Sequence, residues 1–557
     1  MAKELPAQKK PSFMNNVLIV LVAQLAVKFL GMIYRLVITN IPGFGDAGNG
    51  FYSAGYQVYI FLLALSSQGI PSSIAKLVSE RAAVGDHRGA HRIFRSSLVL
   101  FGLIGLFFGL FLFFGADVIA TRIIGLPGAK YTMMALSPAL FFVCVSSVIR
   151  GYFQGLQDMK ATSGTQVLEQ IFNCTLTIVI VLSLSGMSAE YMAAGGHAAT
   201  SISCFLSLLF LIGYYFWKMR AIRPMIEASP ESAPLGTFAA AGRILSVAIP
   251  ISLSSIVLAI NRIVDTATIT RGIKVAFRNG IPGQSGIPSP EALVDEAGRL
   301  AGMLSKSDTL INLALALNTG FVIALLPAVT ALIAQGKKEE AYKRVSFSLL
   351  LSVLIILPCA LGLMVLAKPV YGLLYPNAPD GWMLLVWSAV ALIFTAMNNT
   401  IYSALQGIGK IFVPATGLLC GGIAKALLNI LLIRQTNINI YGAVLSSIAC
   451  QAISFLICFM VLNHSMPIRM KGIDLLVKPL IAGGVMALAA WGIHKGLCLI
   501  LASFLGQYLS NALATLISIV IAALLYLFLI LRLGTLSREE LSEIPMGRKL
   551  VRFLKES

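Results

Sequence analysis

Apolar residues recur in fourteen long stretches, at about 17–38, 51–75, 96–120, 132–150, 165–187, 191–217, 244–270, 309–334, 346–367, 381–405, 413–433, 439–463, 477–495 and 507–531. Each is near the roughly 20 residues that a helix needs to cross the hydrocarbon core of a bilayer. The runs are continuous, without the ten-residue alternation of a membrane β-barrel. The pattern predicts an all-α polytopic membrane protein of about fourteen transmembrane helices. The first stretch is too long for a signal-peptide core and reads as a retained span.

Composition agrees with this reading. Apolar residues make up 57% of the chain and charged residues 12%, against roughly 25% charged in soluble domains. A soluble protein, a disulfide scaffold and a disordered chain are excluded. Lys and Arg number 42 against 23 Asp and Glu. In a soluble protein that surplus suggests nucleic acid, but here it sorts by loop. With the N-terminus in the cytoplasm, 28 of the basic residues lie on the cytoplasmic side and 10 in outer loops. That asymmetry is the positive-inside signature. It places both termini in the cytoplasm and leaves no reason for a nucleic-acid partner. One connection, 271–308, is expected as an extracellular loop although it carries Arg271, Lys274, Arg278, Arg299 and Lys306 among Glu291, Asp295, Glu296 and Asp308.

An internal repeat organises the spans. Gln154-Gly155 and Gln406-Gly407 align at an offset of 252, and Gly85 to Ala90 aligns with Gly336 to Ala341 at 251. Pro71 aligns with Pro327 at 256, and Arg35 with Arg262 at 227. Six spans per copy is an even number, so both copies enter the membrane from the same side, as in a parallel repeat. The expected organisation is an N-lobe over 1–217, a cytoplasmic linker over 218–243 and a C-lobe over 244–463. Two further spans follow over 464–531, then an amphipathic cytoplasmic tail over 532–557. The fold is thus two pseudo-symmetric six-helix lobes plus two C-terminal helices.

Four cations sit inside the spans: Lys28, Arg35, Arg262 and Lys425. A charge facing lipid at mid-membrane costs about 2.5–3.5 kcal/mol, so these face protein or a wet cavity. Gln24, Lys28, Gly31 and Arg35 follow one helical stripe. The two cations on it lie about 10 Å apart along the axis, with no acidic residue nearby in sequence to pair with them. Unpaired cations on an interior stripe point to an anionic ligand. Arg262 matches Arg35 across the repeat, and Asp265, three residues on, is placed to pair with it. Glu169 in the fifth span, with Lys425 and Asn429 in the eleventh, are further candidates for lining the cavity. There is no phosphate-binding GxxxxGK[ST] loop, no HExxH and no Cys/His ligand spacing. No catalytic residue, metal or cofactor is implied.

The two Gln-Gly motifs at span ends, the segment GIPSSIAKLVSERAAVGD at 69–86 and the charged first span resemble the multidrug/oligosaccharidyl-lipid/polysaccharide exporter superfamily. Within it the chain is similar to the polysaccharide transporter branch, with its stage V sporulation protein B-like and Gram-positive lipid II flippase-like members. The resemblance implies two lobes facing each other in a V and working by alternating access in a bacterial plasma membrane. It implies that cations of the first span hold a lipid-linked pyrophosphate, here at Lys28 and Arg35 with Arg262 matching them. Lys28 stands where the family usually has arginine, a point charge in place of a bidentate fork. It also implies a groove for a polyprenyl tail along the last two spans.

The expected function is a flippase for undecaprenyl-pyrophosphate-linked oligosaccharide, foremost the peptidoglycan precursor lipid II. Its partners are that lipid, the bilayer and a possible coupling ion, and it is expected as a monomer. Two alternatives are a multidrug/cation antiporter of the same superfamily and a polyprenyl-linked glycosyltransferase or polymerase. The antiporter calls for acidic cavity residues. The enzyme calls for a catalytic carboxylate among Glu291, Asp295, Glu296 and Asp308.

Overall fold

The computed structural model describes residues 13–67, 69–229, 237–282, 286–467 and 473–536, with the side chains of the first helix from Ala26 onward. The N-lobe comprises α1 (Phe13–Thr39), α2 (Gly45–Ser66), α3 (Ile70–Ala83), α4 (His87–Val118), α5 (Ala129–Gly155), α6 (Met159–Ser183) and α7 (Ala189–Glu227). The C-lobe comprises α8 (Thr237–Ala276), α9 (Pro290–Ala334), α10 (Lys338–Val365), α11 (Ala367–Leu374), α12 (Trp382–Gly407), α13 (Phe412–Leu432) and α14 (Ile440–Ser465). Then come α15 (Lys478–Leu501) and α16 (Gln507–Arg532).

Among the described residues, 11 helical stretches are long and apolar enough to cross a membrane. The other three expected spans fall on α1, α8 and α9. The amphipathic tail from residue 537 onward and linker residues 230–236 lie outside the described residues.

The second expected span is broken. α2 ends at Ser66, and α3 restarts at Ile70 with Pro71 in its first turn, where a missing N–H costs nothing. The connection expected over 271–308 is mostly helix. α8 continues to Ala276 and α9 begins at Pro290, so only 277–289 lies between them. The Ser289 hydroxyl accepts from the Ala292 N–H and caps α9. Charged residues hid this extension from a reading based on apolar runs.

The two lobes share one packing scheme. α4 packs on α5, α5 on α7, α6 on α7 and α1 on α6; their counterparts α10 on α12, α12 on α14, α13 on α14 and α8 on α13 repeat it. The repeat extends to individual hydrogen bonds. After α5, the Asp158 N–H donates to Phe153 O at 2.9 Å and Gln157 takes φ +64°; after α12, the Lys410 N–H donates to Leu405 O at 2.9 Å and Gly409 takes φ +82°. Gly85 and Gly336 take φ +79° and +75° at equivalent helix ends. Left-handed residues there satisfy the terminal carbonyls.

The Gln-Gly motifs are explained by close packing. A Cβ on Gly155 would lie 2.7 Å from Val78 Cβ, and one on Gly407 would lie 3.0 Å from Val329 Cβ. Val78 and Val329 occupy equivalent places on α3 and α9.

The N-lobe holds two buried apolar clusters. One is built around Phe51, Tyr52, Leu136 and Leu140, the other around Ile74, Phe94, Tyr152 and Phe153. α15 and α16 pack on each other and join the C-lobe core through Met486, Tyr526 and Leu349. The lobes meet where α2 crosses α9 and α8, α1 meets α9, and α3 meets α8.

Candidate functional site

α1 presents Lys28 and Arg35 toward the C-lobe. Lys28 is exposed, and it lies close enough to Arg262 on α8 for the two charges to act on each other. Arg262 is also exposed. Among the described residues neither side chain forms an ion pair or hydrogen bond. Two like charges from opposite lobes thus act on each other, neither held in an ion pair among the described residues, on helices whose remaining residues are mostly apolar.

Arg35 is partly held. Its Nη2 donates to Ser305 Oγ on α9 at 2.6 Å, and its guanidinium lies 4.6 Å from the Tyr52 ring centroid, a cation–π contact. Nη1 is buried without a hydrogen-bond acceptor. The other face of Tyr52 stacks on His197 with ring centroids 3.7 Å apart. His197 Nε2 lies 2.9 Å from Tyr52 O, so the ring under Arg35 is fixed from behind.

Asp265 takes a different partner from the one expected. Its Oδ2 pairs with Lys425 Nζ of α13 at 2.7 Å, and its Oδ1 accepts from Asn429 Nδ2 at 2.9 Å. Asn429 Nδ2 also reaches Thr268 Oγ1. Lys425 and Asn429 are i and i+4 on α13, so one helical face meets the carboxylate twice. The ion pair expected between Arg262 and Asp265 is therefore replaced, because α13 packs against that face of α8. Lys425 is compensated and Arg262 is left free.

Glu169 belongs to a separate cluster within the N-lobe. Its Oε2 pairs with Arg150 Nη2 at 2.7 Å. Arg150 also reaches Thr165 Oγ1 at 3.2 Å and Ser207 Oγ at 3.3 Å. Arg150, counted as cytoplasmic by position, is buried between α5, α6 and α7. Gln24 lies on α1, with its side chain outside the described residues.

Residues 305–308, expected at the end of an extracellular loop, instead form a run within α9 whose contacts sequence reasoning did not anticipate. Ser305 holds Arg35. Lys306 Nζ pairs with Asp46 Oδ1 of α2 at 2.7 Å and donates to Ala378 O and Asp380 O at 2.6 and 2.9 Å. Ser307 Oγ lies 2.8 Å from Tyr371 Oη. Asp308 is exposed and lies in the field of Lys425, Asp265, Arg262 and Arg35. It is a solvent-accessible carboxylate in the field of charges from both lobes, on α1, α8 and α13, and it opens into the space between the lobes, hereafter the vestibule. Helical period sends these four consecutive side chains in different directions, a signal visible only once α9 is known to start at Pro290.

One end of the vestibule is shut. A Cβ on Gly302 would overlap the Asp46 carbonyl, and one on Gly50 would overlap the Gly298 carbonyl, so α2 and α9 approach almost backbone to backbone. Asn40 Nδ2 donates to Leu374 O, and Asn377 Nδ2 donates to Asn40 O, each at 2.8 Å. Beyond this seal lies a cavity of about 950 Å³ whose charged lining is Asp46, Glu190, Asp295, Glu296, Asp380 and Arg299. Three of the four carboxylates considered for an enzyme, Glu291, Asp295 and Glu296, lie on the far side of the seal from the exposed cations. Among the described residues no cluster of three metal-binding side chains occurs.

Comparison with known proteins agrees with this fold. Residues 13–276 match the family model described as polysaccharide biosynthesis protein. Stage V sporulation protein B of Bacillus subtilis is 25% identical over 98% of this chain and 100% of its own length. Lipid II flippase MurJ of the same organism is 24% identical over 95% and 96%. Among solved structures, a lipid II flippase MurJ in an inward closed conformation superposes with a TM-score of 0.64 at 15% identity, covering 91% of this chain and 97% of that one. An inward-facing multidrug resistance MATE transporter of the MOP superfamily gives 0.63 at 18% identity, covering 80% and 98%. The chain is thus an all-helical protein with 11 membrane-length apolar helical stretches among the described residues, similar to the polysaccharide biosynthesis protein family model over residues 13–276 and sharing the fold of the MurJ and MATE structures.

Proposed function

We propose that the protein is a flippase that carries an undecaprenyl-diphosphate-linked oligosaccharide, foremost lipid II, from the inner to the outer leaflet. The observation that carries this reading is the pair Lys28 and Arg262, accessible cations from opposite lobes without a carboxylate partner among the described residues. A sugar headgroup with its diphosphate loses hydration if it enters hydrocarbon, and that loss must be offset by polar contacts. Lys28, Arg262 and the orphaned Nη1 of Arg35 supply charge-assisted donors for it. The polyprenyl chain remains in lipid, beside α15 and α16.

In this reading both termini are cytoplasmic and the sealed end faces outward. An anion drawn between Lys28 and Arg262 removes their mutual repulsion and pulls the lobes together around it. Arg35, drawn toward the same anion, leaves Ser305 and weakens the seal between α1 and α9. Parting of α2 from α9 then opens the vestibule outward.

The same-superfamily alternative, a cation antiporter, is disfavoured by a vestibule in which cations outnumber carboxylates. The test uses purified protein in liposomes containing labelled lipid II. Outward movement of the label without polymer formation, and without efflux of a cationic dye, is the expected result. Dye efflux alone supports the antiporter, and polymer formation supports the enzyme.

A further inference from the structure

Among the described residues, one acidic side chain facing the vestibule has no ion-pair partner. Asp308 forms no ion pair and no hydrogen bond among the described residues, and it is exposed to the vestibule. It gives nothing to the seal, which uses Ser305 and Lys306 from the same run, while Ser307 bonds Tyr371 within the C-lobe. A carboxylate in a site built for an anion opposes binding, so its presence calls for a functional reason.

Charge counting supplies one. The Lys425–Asp265 pair cancels, as do Arg150–Glu169 and Lys306–Asp46. His197 is buried with its ring stacked on Tyr52 and Nε2 engaged by Tyr52 O. Among the described residues, the charged side chains left without an ion pair where the lobes face each other are Lys28 and Arg35 from α1, Arg262 from α8, and Asp308 from α9. Three positive charges and one negative leave a surplus of two. A diphosphate esterified at both ends carries two negative charges, and a phosphate diester carries one. In a space walled by apolar helices an unmatched charge is expensive, because the low effective dielectric strengthens every uncompensated interaction.

We infer that Asp308 sets the vestibule surplus to two positive charges and thereby selects a diphosphate-linked lipid over a monophosphate-linked one. This rests on the lipid-linked substrate proposed above. The same carboxylate keeps the site from binding its cargo too tightly to release it, since transport requires a bound state shallow enough to leave. Once the cargo departs, Asp308 is the counter-charge that remains beside Arg262 and Arg35.

The experiment measures equilibrium binding to the full chain in lipid nanodiscs with two probes. One is a short-chain polyprenyl diphospho-N-acetylglucosamine, the other its monophospho counterpart. The unaltered protein is expected to prefer the diphosphate by about tenfold. Asp308→Asn is expected to bind both probes about tenfold more tightly and to release them more slowly. Asp308→Glu is expected to behave as the unaltered protein. In the double variant Asp308→Asn with Arg262→Gln the surplus returns to two, and affinities are expected to fall back toward the starting values. A merely structural Asp308 would not be rescued by removing a cation.

Should Asp308→Asn fail to purify as a monodisperse protein, Asp308→Ser, which the open vestibule accommodates, takes its place. Unchanged or weakened binding of both probes in the neutral variant overturns the inference, as does a double variant no nearer the starting values. Failure of the unaltered protein to bind the diphosphate probe overturns the flippase reading itself, whereas binding that Asp308→Asn leaves unmoved overturns only the role of Asp308.

Discussion

Lys306 on α9 pairs at 2.7 Å with Asp46 on α2, with the lysine side chain 1% and the aspartate 10% exposed. The pair joins opposite lobes at the sealed end of the vestibule. Tyr371 and Tyr375 flank the ammonium, with ring centroids 5.4 Å away, and two carbonyls complete its shell. Such a pair holds one conformation strongly and has no counterpart once the lobes part.

Removing one partner leaves the other charge buried, at a cost of about 3–5 kcal/mol to the sealed state. Lys306→Met is therefore expected to shift the lobes toward opening at this end. Labelling of a cysteine placed at Ser305, which is 6% exposed, is expected to accelerate by more than about tenfold. An unchanged labelling rate would mean that the pair does not latch the lobes.

The glycine contacts make a second, steric prediction. Gly302→Ala introduces a methyl group where the Asp46 carbonyl lies. The chain is expected to fold, because the clash exists only while α2 and α9 are pressed together, and to lose transport because it cannot reseal. A paired Asn40→Cys and Asn377→Cys variant, which cross-links on oxidation when the seal is formed, is expected to stop cross-linking once Gly302→Ala is added. Retained cross-linking would refute this.

The Asp265–Lys425 pair is read as neutralised and positional. Lys425→Met leaves Asp265 uncompensated among apolar helices and is expected to lower stability by about 3 kcal/mol. Adding Asp265→Asn is expected to recover most of that loss. Thermal unfolding of the two single variants and the double variant measures the coupling. If the double variant is as unstable as Lys425→Met, the lysine acts through another group.

Much of this organisation was legible in the residues. The offset of 252 between the Gln-Gly motifs corresponds to two glycines that let α5 and α12 approach Val78 and Val329. Gly155→Ala is expected to cost about 1–3 kcal/mol and more than Gly407→Ala, because its neighbour stands nearer; thermal shifts measure the difference. The stripe on α1 likewise places Lys28 and Arg35 toward the opposite lobe.

Other features were not legible. Asp265 has Arg262 three residues away, yet its true partner Lys425 is 160 residues distant. Arg150 closes an apolar run and reads as a loop residue, although it reaches back to Glu169. Ser305 to Asp308 fall before the apolar part of α9 and read as loop. Hydropathy detects what a helix shows to lipid, and these residues face protein or, for Asp308, the space between the lobes.

The most direct test of the whole account measures outward movement of labelled lipid II in liposomes holding Lys28→Gln, Arg262→Gln or both. Each single change is expected to slow movement by about tenfold or more, and the double change is expected to reduce it to the protein-free rate, while Lys28→Arg retains it. A correctly folded double variant that moves lipid II at the unaltered rate would contradict the claim that these two cations hold the headgroup.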